Sequence, residues 1–399
     1  MVRLPPKLRP LFPYLKPAYV HATRAVSPIT VGLSRGRGGL LPTGVAMTME
    51  DAAESSGGRC VTARPVEVLE RGEPVGRPEG LAALEPADDG PVGRVAVAEL
   101  PGGRVLGPHR AVITGANDLV WEISRYFGTS KPRQHPVFLN PFPVPPLEVE
   151  GRLGVLASRG DGNYYHFLND AIPRIGVLEQ AREIGSVDRW YVPAGLPFQR
   201  ELLTMMGLSD DRIVDASAHP HVRAETLVVP GPPAMTEKNP PWVSAFLRDR
   251  LMTAPGAPAT GTPIYVTRGA TGNNRDILNE AAVRSVLTAR GFDVIDPGEM
   301  SVADQISSFA QAPVIVSAHG AALANLVFAA GGTSLIEIFP AGCVLPDYWR
   351  MAAGIPGMTY RYLSDWPTSK RLNRQTAIVT DITVDLAALE ALLDGAATS

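Results

Sequence analysis

"VIVSAHGAALANLVF", residues 314–328, decides how the second half of this chain is read. A short β-branched run ends in Ser317. His319 and Gly320 follow at once, and a string of small residues then encloses Asn325. The stretch looks like the loop that leaves a strand of a nucleotide-binding sheet, yet it lacks the glycine spacing of the dinucleotide fingerprint. Ligands of open α/β sheets sit at the carboxyl ends of the strands. A helix starting near Ala321 would aim its free N–H groups and its dipole at that edge, which favours a phosphate. Gly320 lets the backbone approach closely, and His319 offers a donor to a phosphoryl oxygen. Histidine-glycine pairs also occur in ordinary tight turns with a solvated imidazole, so both readings stand on these residues alone.

The flanking segments repeat one pattern. "IYVT" (264–267), "DVID" (293–296), "VIVS" (314–317) and "LIEIF" (335–339) read as strands, with "YWRMAAG" and "YRYL" closing the array. Between them, Asp276 reads as an N-cap before a stripe of Leu278, Ala282, Val283, Val286 and Leu287, with Gly291 as the stop. Ser301 and Asp304 resemble a capping box opening a helix with Val302, Ile306 and Phe309 inward. Strands alternating with helices of this length predict a parallel, doubly wound sheet.

Working towards the N-terminus, a second strand–helix block precedes this one. "LGVLAS", "RWYVP", "RIVD" and "TLVVP" read as strands; "YYHFLNDAIPRIGVLEQAR", "PFQRELLTMMG" and "WVSAFLRDRLM" read as helices. "TAPGAPATGTP", 253–263, has linker composition. The expected organisation is therefore α/β with two Rossmann-like lobes facing a cleft. An irregular basic, Pro-rich segment covers 1–60, a first lobe with a β preface 61–252, the linker 253–263, a second lobe 264–363 and a tail helix 364–399. In the preface, "VAVAEL" and "AVIT" suggest a small antiparallel section turned by "PGG" at 101–103.

Bulk properties exclude several classes. A chain of 399 residues with 45% hydrophobic and 19% charged residues suits two globular domains. A net charge of −3 gives no footprint for nucleic acid. Cys60 and Cys343, far apart and without motif spacing, predict a reducing compartment and no metal cage. The N-terminus has no continuous apolar run for a secretory signal, and nothing reaches the ~20 residues of a membrane span. Arg3, Lys7, Arg9, Lys16 and Arg24 either hold this arm near anionic lipid or form a solvated tail.

Several polar residues stand out within these elements. Glu337 lies inside an apolar strand, where a carboxylate needs a partner. A structural arginine or a ribose diol would each serve. Arg268 ends the first strand of the second lobe and Arg275 precedes a helix, positions that suit a pyrophosphate, although surface arginines are common. In "GDGNYYHFLNDAIPR", His166 and Asp170 share a helix face, with Arg174 beyond Pro173. The pair is a general base with an orienting acid, or a solvated salt bridge at a helix start.

Taken in order, "NYYHFLNDAIPR", "VTRGATGNNRDILNE", "GFDVIDPGEMSVADQISSFAQAPVIVSAHGAALANLVF" and "GGTSLIEIFP" resemble glycosyltransferase family 61, in particular its bacterial capsular and exopolysaccharide members. The resemblance implies a GT-B fold and inverting sugar transfer from a nucleotide sugar, commonly a UDP-sugar, to a glycan acceptor, without a metal or other cofactor. It places His319, Gly320 and Asn325 in the donor loop, Glu337 near the nucleoside, and Arg268 and Arg275 near the pyrophosphate. His166 and Asp170 fall in the catalytic motif, with Asn163, Tyr165 and Arg174 on the acceptor side. Ala322, Ala324, Phe167 and Thr267 depart from the family's usual residues. A cytoplasmic enzyme of surface polysaccharide synthesis is expected, with peripheral membrane contact through the basic N-terminus. A nucleotide-sugar epimerase or an inactive nucleotide- or glycan-binding scaffold are the alternatives.

Overall fold

The computed structural model describes residues 11–35, 39–68, 92–126, 128–233, 239–254, 256–269, 275–340, 344–364 and 374–397. The chain divides into two compact units. One comprises Tyr14–Glu67 and Gly93–Met235, the other Met1–Pro13, Val68–Val92 and Thr236–Ser399.

The first unit is built on one ten-stranded mixed sheet. Its strands are β1 (Gly44–Ala46), β2 (Arg59–Arg64), β3 (Val95–Pro101), β4 (Arg104–Leu106), β5 (Ala111–Ile113), β6 (Asp118–Val120), β7 (Leu147–Val155), β8 (Arg189–Val192), β9 (Ile213–Asp215) and β10 (His221–Pro230). The order β1-β6-β5-β4-β10-β7-β8-β9 joins a half that is antiparallel apart from the parallel β1–β6 pair to a parallel half at β10, and β3 pairs with both β2 and β10. The antiparallel preface expected from the sequence is thus continuous with the main sheet. Gly102, at φ +64, supplies the turn between β3 and β4. Val97, Leu100, Val105, Leu153, Val155, Val222 and Leu227 form the apolar interior on this sheet.

Residues 1–60 are not irregular where they are described. Helix α1 (Phe12–Arg35) runs for 24 residues with Pro17 and Pro28 inside it, and α2 (Met49–Ser56) is closed by a Thr48–Asp51 capping box. The apolar period hides α1 because its packed face is built from small hydroxyl residues. Thr23, Ser27, Thr30 and Ser34 are buried beside Val20 and Val31, whereas Tyr14, Leu15, Ile29 and Leu33 are exposed. The Thr23 hydroxyl donates to the Tyr19 carbonyl and that of Thr30 to the Ser27 carbonyl, so these groups are satisfied within the helix.

Four further helices complete this unit: α3 (Trp121–Ser124), α4 (Tyr164–His166), α5 (Arg174–Gln180) and α6 (Pro197–Met205). Between α4 and α5 the chain widens into a π-helix, Phe167–Ala171.

The second unit carries a parallel five-stranded sheet: β11 (Ile264–Val266), β12 (Asp293–Ile295), β13 (Val314–Ala318), β14 (Ser334–Phe339) and β15 (Thr359–Ser364). It is parallel throughout, as the alternation of elements predicted, and its order is β12-β11-β13-β14-β15. Helices α7 (Pro241–Leu251), α8 (Glu280–Ala289), α9 (Val302–Gln311), α10 (Asp347–Ala353), α11 (Arg374–Ala377) and α12 (Leu386–Ala397) belong to it. The stretch 253–263, expected to divide the lobes, instead lies inside this unit, after α7. Arg248 fixes α7 there by donating to the carbonyls of Val327 and Ala329. Helix α8 starts later than expected. Asn279, not Asp276, is its N-cap, and Leu278 is exposed rather than part of the buried stripe. The Ser301 cap is present, its hydroxyl accepting from the Asp304 N–H at 3.1 Å.

Gly154 on β7 tests the packing of the first unit. A Cβ there would lie 2.5 Å from two ring atoms of buried Trp190. Gly154→Ala is expected to destabilise the protein by about 1–3 kcal/mol through overpacking, read as a lower urea midpoint at unchanged slope.

Candidate active site

The strand order of the second unit creates a switch point between β11 and β13, where chain connections diverge to either side. Arg268 follows the carboxyl end of β11, and His319 and Gly320 follow that of β13. The sheet brings them together: the Arg268 guanidinium donates to the His319 carbonyl at 3.0 Å. Glycine at 320 leaves room for a neighbouring side chain. Its φ of −178° is ordinary extended backbone, but a Cβ would sit 2.6 Å from the Arg268 guanidinium.

His319 is held on three sides. Its Nδ1 lies 2.6 Å from Glu337 Oε1, its ring stacks on Phe339 at 5.2 Å, and Tyr348 packs at 5.3 Å. The Tyr348 hydroxyl in turn donates to the Gly320 carbonyl at 2.6 Å. Glu337 has no exposed surface, and its second oxygen accepts from the Tyr360 hydroxyl at 2.7 Å. Both carboxylate oxygens are therefore engaged by protein groups, a histidine and a tyrosine, and not by the structural arginine that was one expectation. Burial pushes the Glu337 carboxyl well above its ordinary range, and Asp347 adds to this. The Tyr360 hydrogen bond and the Arg275 charge pull the other way.

Arg275 and Arg268 influence each other electrostatically. Burial, then the Arg275 charge, lowers the Arg268 pKa to about 10, while Asp276, Tyr348 and Asp381 oppose this. Arg275 itself adopts φ +79, and its N–H and that of Asp276 both donate to Asp381 Oδ1. Two cations at one sheet edge suit an anionic ligand. The segment from 321 to 328 is a 3₁₀ helix rather than an α-helix. Asn325 lies wholly buried within it, its amide donating to Gln305 Oε1 and the Ala322 carbonyl, so it braces the loop instead of lining it.

The first unit presents a second constellation after β7. His166 Nδ1 and Asp170 Oδ2 are 2.7 Å apart, with side chains 20% and 26% exposed, so the predicted pair forms. Asn163 caps α4 through the Tyr165 N–H at 3.0 Å. The π-helix, closed by the Ile172 N–H to the Phe167 carbonyl at 3.0 Å, lies just beyond and includes Asp170. Tyr165 and Arg174, expected on the acceptor side, are buried. Arg174 donates to the main-chain carbonyls of Asp170 and Pro230, and burial lowers its pKa to about 10.

Sequence reasoning missed the support of this motif. Arg110 donates to buried Asp161 at 2.9 Å and to the Ala216 carbonyl. Gln199 donates to the Asp161 carbonyl, fixing the loop that leads into α4. Gly160, at φ +81, leaves room for the His166 ring, which a Cβ would approach to 2.9 Å. Asp161 and Gly160 sit beside the quoted motif, but Arg110 arrives from a distant strand end that no local pattern marks. Among the described residues, no group of three or more His, Cys, Asp or Glu side chains gathers as a metal-ligand set.

Residues 164–336, from the start of α4 into β14, match the family model described as Glycosyltransferase 61. Segments of it are similar to Protein O-linked-mannose beta-1,4-N-acetylglucosaminyltransferase 2 of several vertebrates. Identity is 29% over 126 residues for the Canis lupus familiaris protein, covering 30% of this chain and 21% of that one. It is 30% over 138 residues for Mus musculus (33% and 23%) and 31% over 115 residues for Homo sapiens (26% and 20%). The chain thus spans only about a fifth of the length of these curated relatives.

The raised Glu337 pKa gives a signed expectation. A carboxyl that holds its proton more tightly when folded contributes stability that is complete below the unfolded value of 4.5. That contribution is withdrawn as pH rises through the folded value. Glu337→Gln cannot ionise. Its Tm is therefore expected to fall less than the wild-type Tm between about pH 4 and pH 8, as thermal melts across that range would show.

Proposed function

We propose that the protein is an inverting glycosyltransferase of GT-B type that moves a sugar from a nucleotide sugar to a glycan acceptor. The observation that supports this reading is the contact of Arg268 with the His319–Gly320 turn at the switch point of a parallel sheet, with the Arg275 charge acting on Arg268, in a chain whose residues 164–336 match this family. A diphosphate there would receive charge-assisted hydrogen bonds from the two arginines and a donor from His319. A UDP-sugar is the donor proposed, in keeping with the family resemblance. The vertebrate relatives are named as N-acetylglucosaminyltransferases acting on O-linked mannose. For this chain, the proposed acceptor is a growing surface glycan.

The chemistry follows from the second constellation. Asp170 holds His166 Nδ1, which leaves the imidazole poised to accept a proton at Nε2. The acceptor hydroxyl gives up its proton to His166 as its oxygen bonds the anomeric carbon. The bond from that carbon to the nucleotide phosphate breaks on the opposite face. The leaving diphosphate carries away the electron pair, and its growing charge is met by Arg268, Arg275 and His319. In this reading the reaction needs no metal, because those groups neutralise the leaving group themselves.

Purified protein incubated with UDP-sugars and a glycan acceptor, with and without magnesium, tests the reading. Transfer with inversion is expected in both conditions. His166→Ala and Asp170→Asn are expected to lower kcat by roughly 10²–10⁴-fold while leaving the thermal shift from UDP intact. Normal transfer by both variants would remove the base assignment. Sugar epimerisation without transfer would favour an epimerase, and nucleotide binding with no turnover a scaffold.

A peripheral membrane role is proposed on separate grounds. Tyr14, Leu15, Ile29 and Leu33 form an exposed apolar face on α1. Arg3, Lys7, Arg9, Lys16, Arg24, Arg35 and Arg37 are unaccompanied by any Asp or Glu before Glu50. An exposed apolar face in a segment whose sequence is basic suits the interface of an anionic membrane, and the cytoplasmic leaflet is the one proposed. No helix among the described residues is long and apolar enough to cross a bilayer. Co-sedimentation with phosphatidylglycerol vesicles, lost with Ile29→Glu/Leu33→Glu and absent for neutral vesicles, is the expected result.

A further inference from the structure

A pocket of about 660 Å³ lies in the first unit, among residues that the transfer reaction does not use. Its lining includes Arg104, Arg223, Ser55, Thr114 and Asn117. Arg104 on β4 and Arg223 on β10 are directly opposed in antiparallel register, so their side chains leave the same face of the sheet. Like charges placed in this way destabilise a sheet unless something compensates them.

Arg104 is nearly fully buried, and the partners that hold it are neutral. One guanidinium nitrogen lies 3.3 Å from His221 Nε2, and another donates to Asn117 Oδ1. His221 donates from Nδ1 to the Val144 carbonyl at 2.6 Å, which leaves Nε2 as an acceptor for Arg104. Burial, with the two arginine charges, lowers its pKa to about 4, so it stays neutral. Asn117 is fixed in turn by donating to the Leu41 carbonyl at 2.9 Å. The Arg104 pKa falls to about 10, first from burial and then from Arg223, which is a second cation and not a counter-charge.

The nearest carboxylate in this row is Glu148, 3.1 Å from Arg223. That pair is 38% and 64% exposed and so only weakly compensating. A buried guanidinium is thus held rigidly by neutral acceptors, faces a second arginine and opens onto a hydroxyl-lined pocket. This arrangement matches an oxyanion that would supply the missing negative charge.

We propose that this pocket binds a phosphoryl group, either as the free ion or esterified to a small molecule such as a sugar. It is a different site from the one around His166. Arg223 pairs in register with Glu148 at the start of β7, whereas His166 follows the carboxyl end of that strand. Along β7 the two ends are about 26 Å apart, at ~3.3 Å per residue. The volume exceeds what an inorganic ion fills and falls within the range of small-molecule pockets.

Calorimetric titration of the full chain with inorganic phosphate, and separately with glucose 6-phosphate, tests the proposal. The His319→Ala background weakens the contribution of the nucleotide site, Arg223→Ala tells the two sites apart, and sodium chloride at matched ionic strength is the control. Saturable binding is expected, at least tenfold weaker in Arg223→Ala and severalfold tighter in Glu148→Gln, which releases Arg223 from its competing carboxylate. Both substitutions fall on part-exposed side chains and leave the buried Arg104 network in place. Tighter binding of the sugar phosphate marks an esterified ligand, and tighter binding of phosphate marks the free ion. Absence of saturable binding in the His319→Ala protein, or affinity that Arg223→Ala leaves unchanged, overturns the proposal.

Discussion

A carboxylate with no exposed surface in the middle of a parallel sheet has to be satisfied by protein groups, and Glu337 organises the second unit around that requirement. Tyr360 from β15 takes one oxygen and His319, just beyond β13, faces the other. With His319 fixed, its main-chain carbonyl accepts from Arg268 beyond β11, which draws the ends of two non-adjacent stretches of chain into one surface. Gly320 follows from the same arrangement, because the guanidinium occupies the space that a side chain would need. This edge of the sheet is therefore held in place by protein contacts buried beneath it.

Arginines across the molecule divide by what compensates them. Arg110 is matched by a buried carboxylate, Asp161, and serves to lock a loop. Arg174 is spent on main-chain carbonyls under the His166 motif. Arg268 and Arg104 differ, because in each the influence that follows burial is a neighbouring arginine. Setting like charges close together in this way costs stability in the folded protein. That contrast separates arginines matched by protein groups from arginines set beside a second cation.

The His166 motif shows how local geometry serves a similar end. Four-residue spacing placed the histidine and Asp170 on one face, and the observed contact follows. Beside it, the π-helix adds a residue to the turn, and Pro173 marks where the next helix begins. The floor of this motif is Tyr165, Phe167, Leu168 and Arg174, all buried, so the exposed edges of His166 and Asp170 are supported from below.

What the sequence by itself determined is what depends on near neighbours in the chain. The parallel five-stranded unit, the Ser301 cap, the His166–Asp170 pair and the turn after β13 all rest on periodicity or short spacing, and each is present. Helix α1 was invisible because its buried face is polar, which defeats the apolar period on which such reading relies. The sequence marked Glu337 as a carboxylate in need of a partner, but only the tertiary structure decided that Tyr360 and His319 answer that need. The same holds for Asn325 as a brace, for α7 belonging with the parallel sheet, and for Arg104 facing Arg223. These pairings join residues far apart in the chain, and strand register, which is set by the packing of whole sheets, is what brings them within reach.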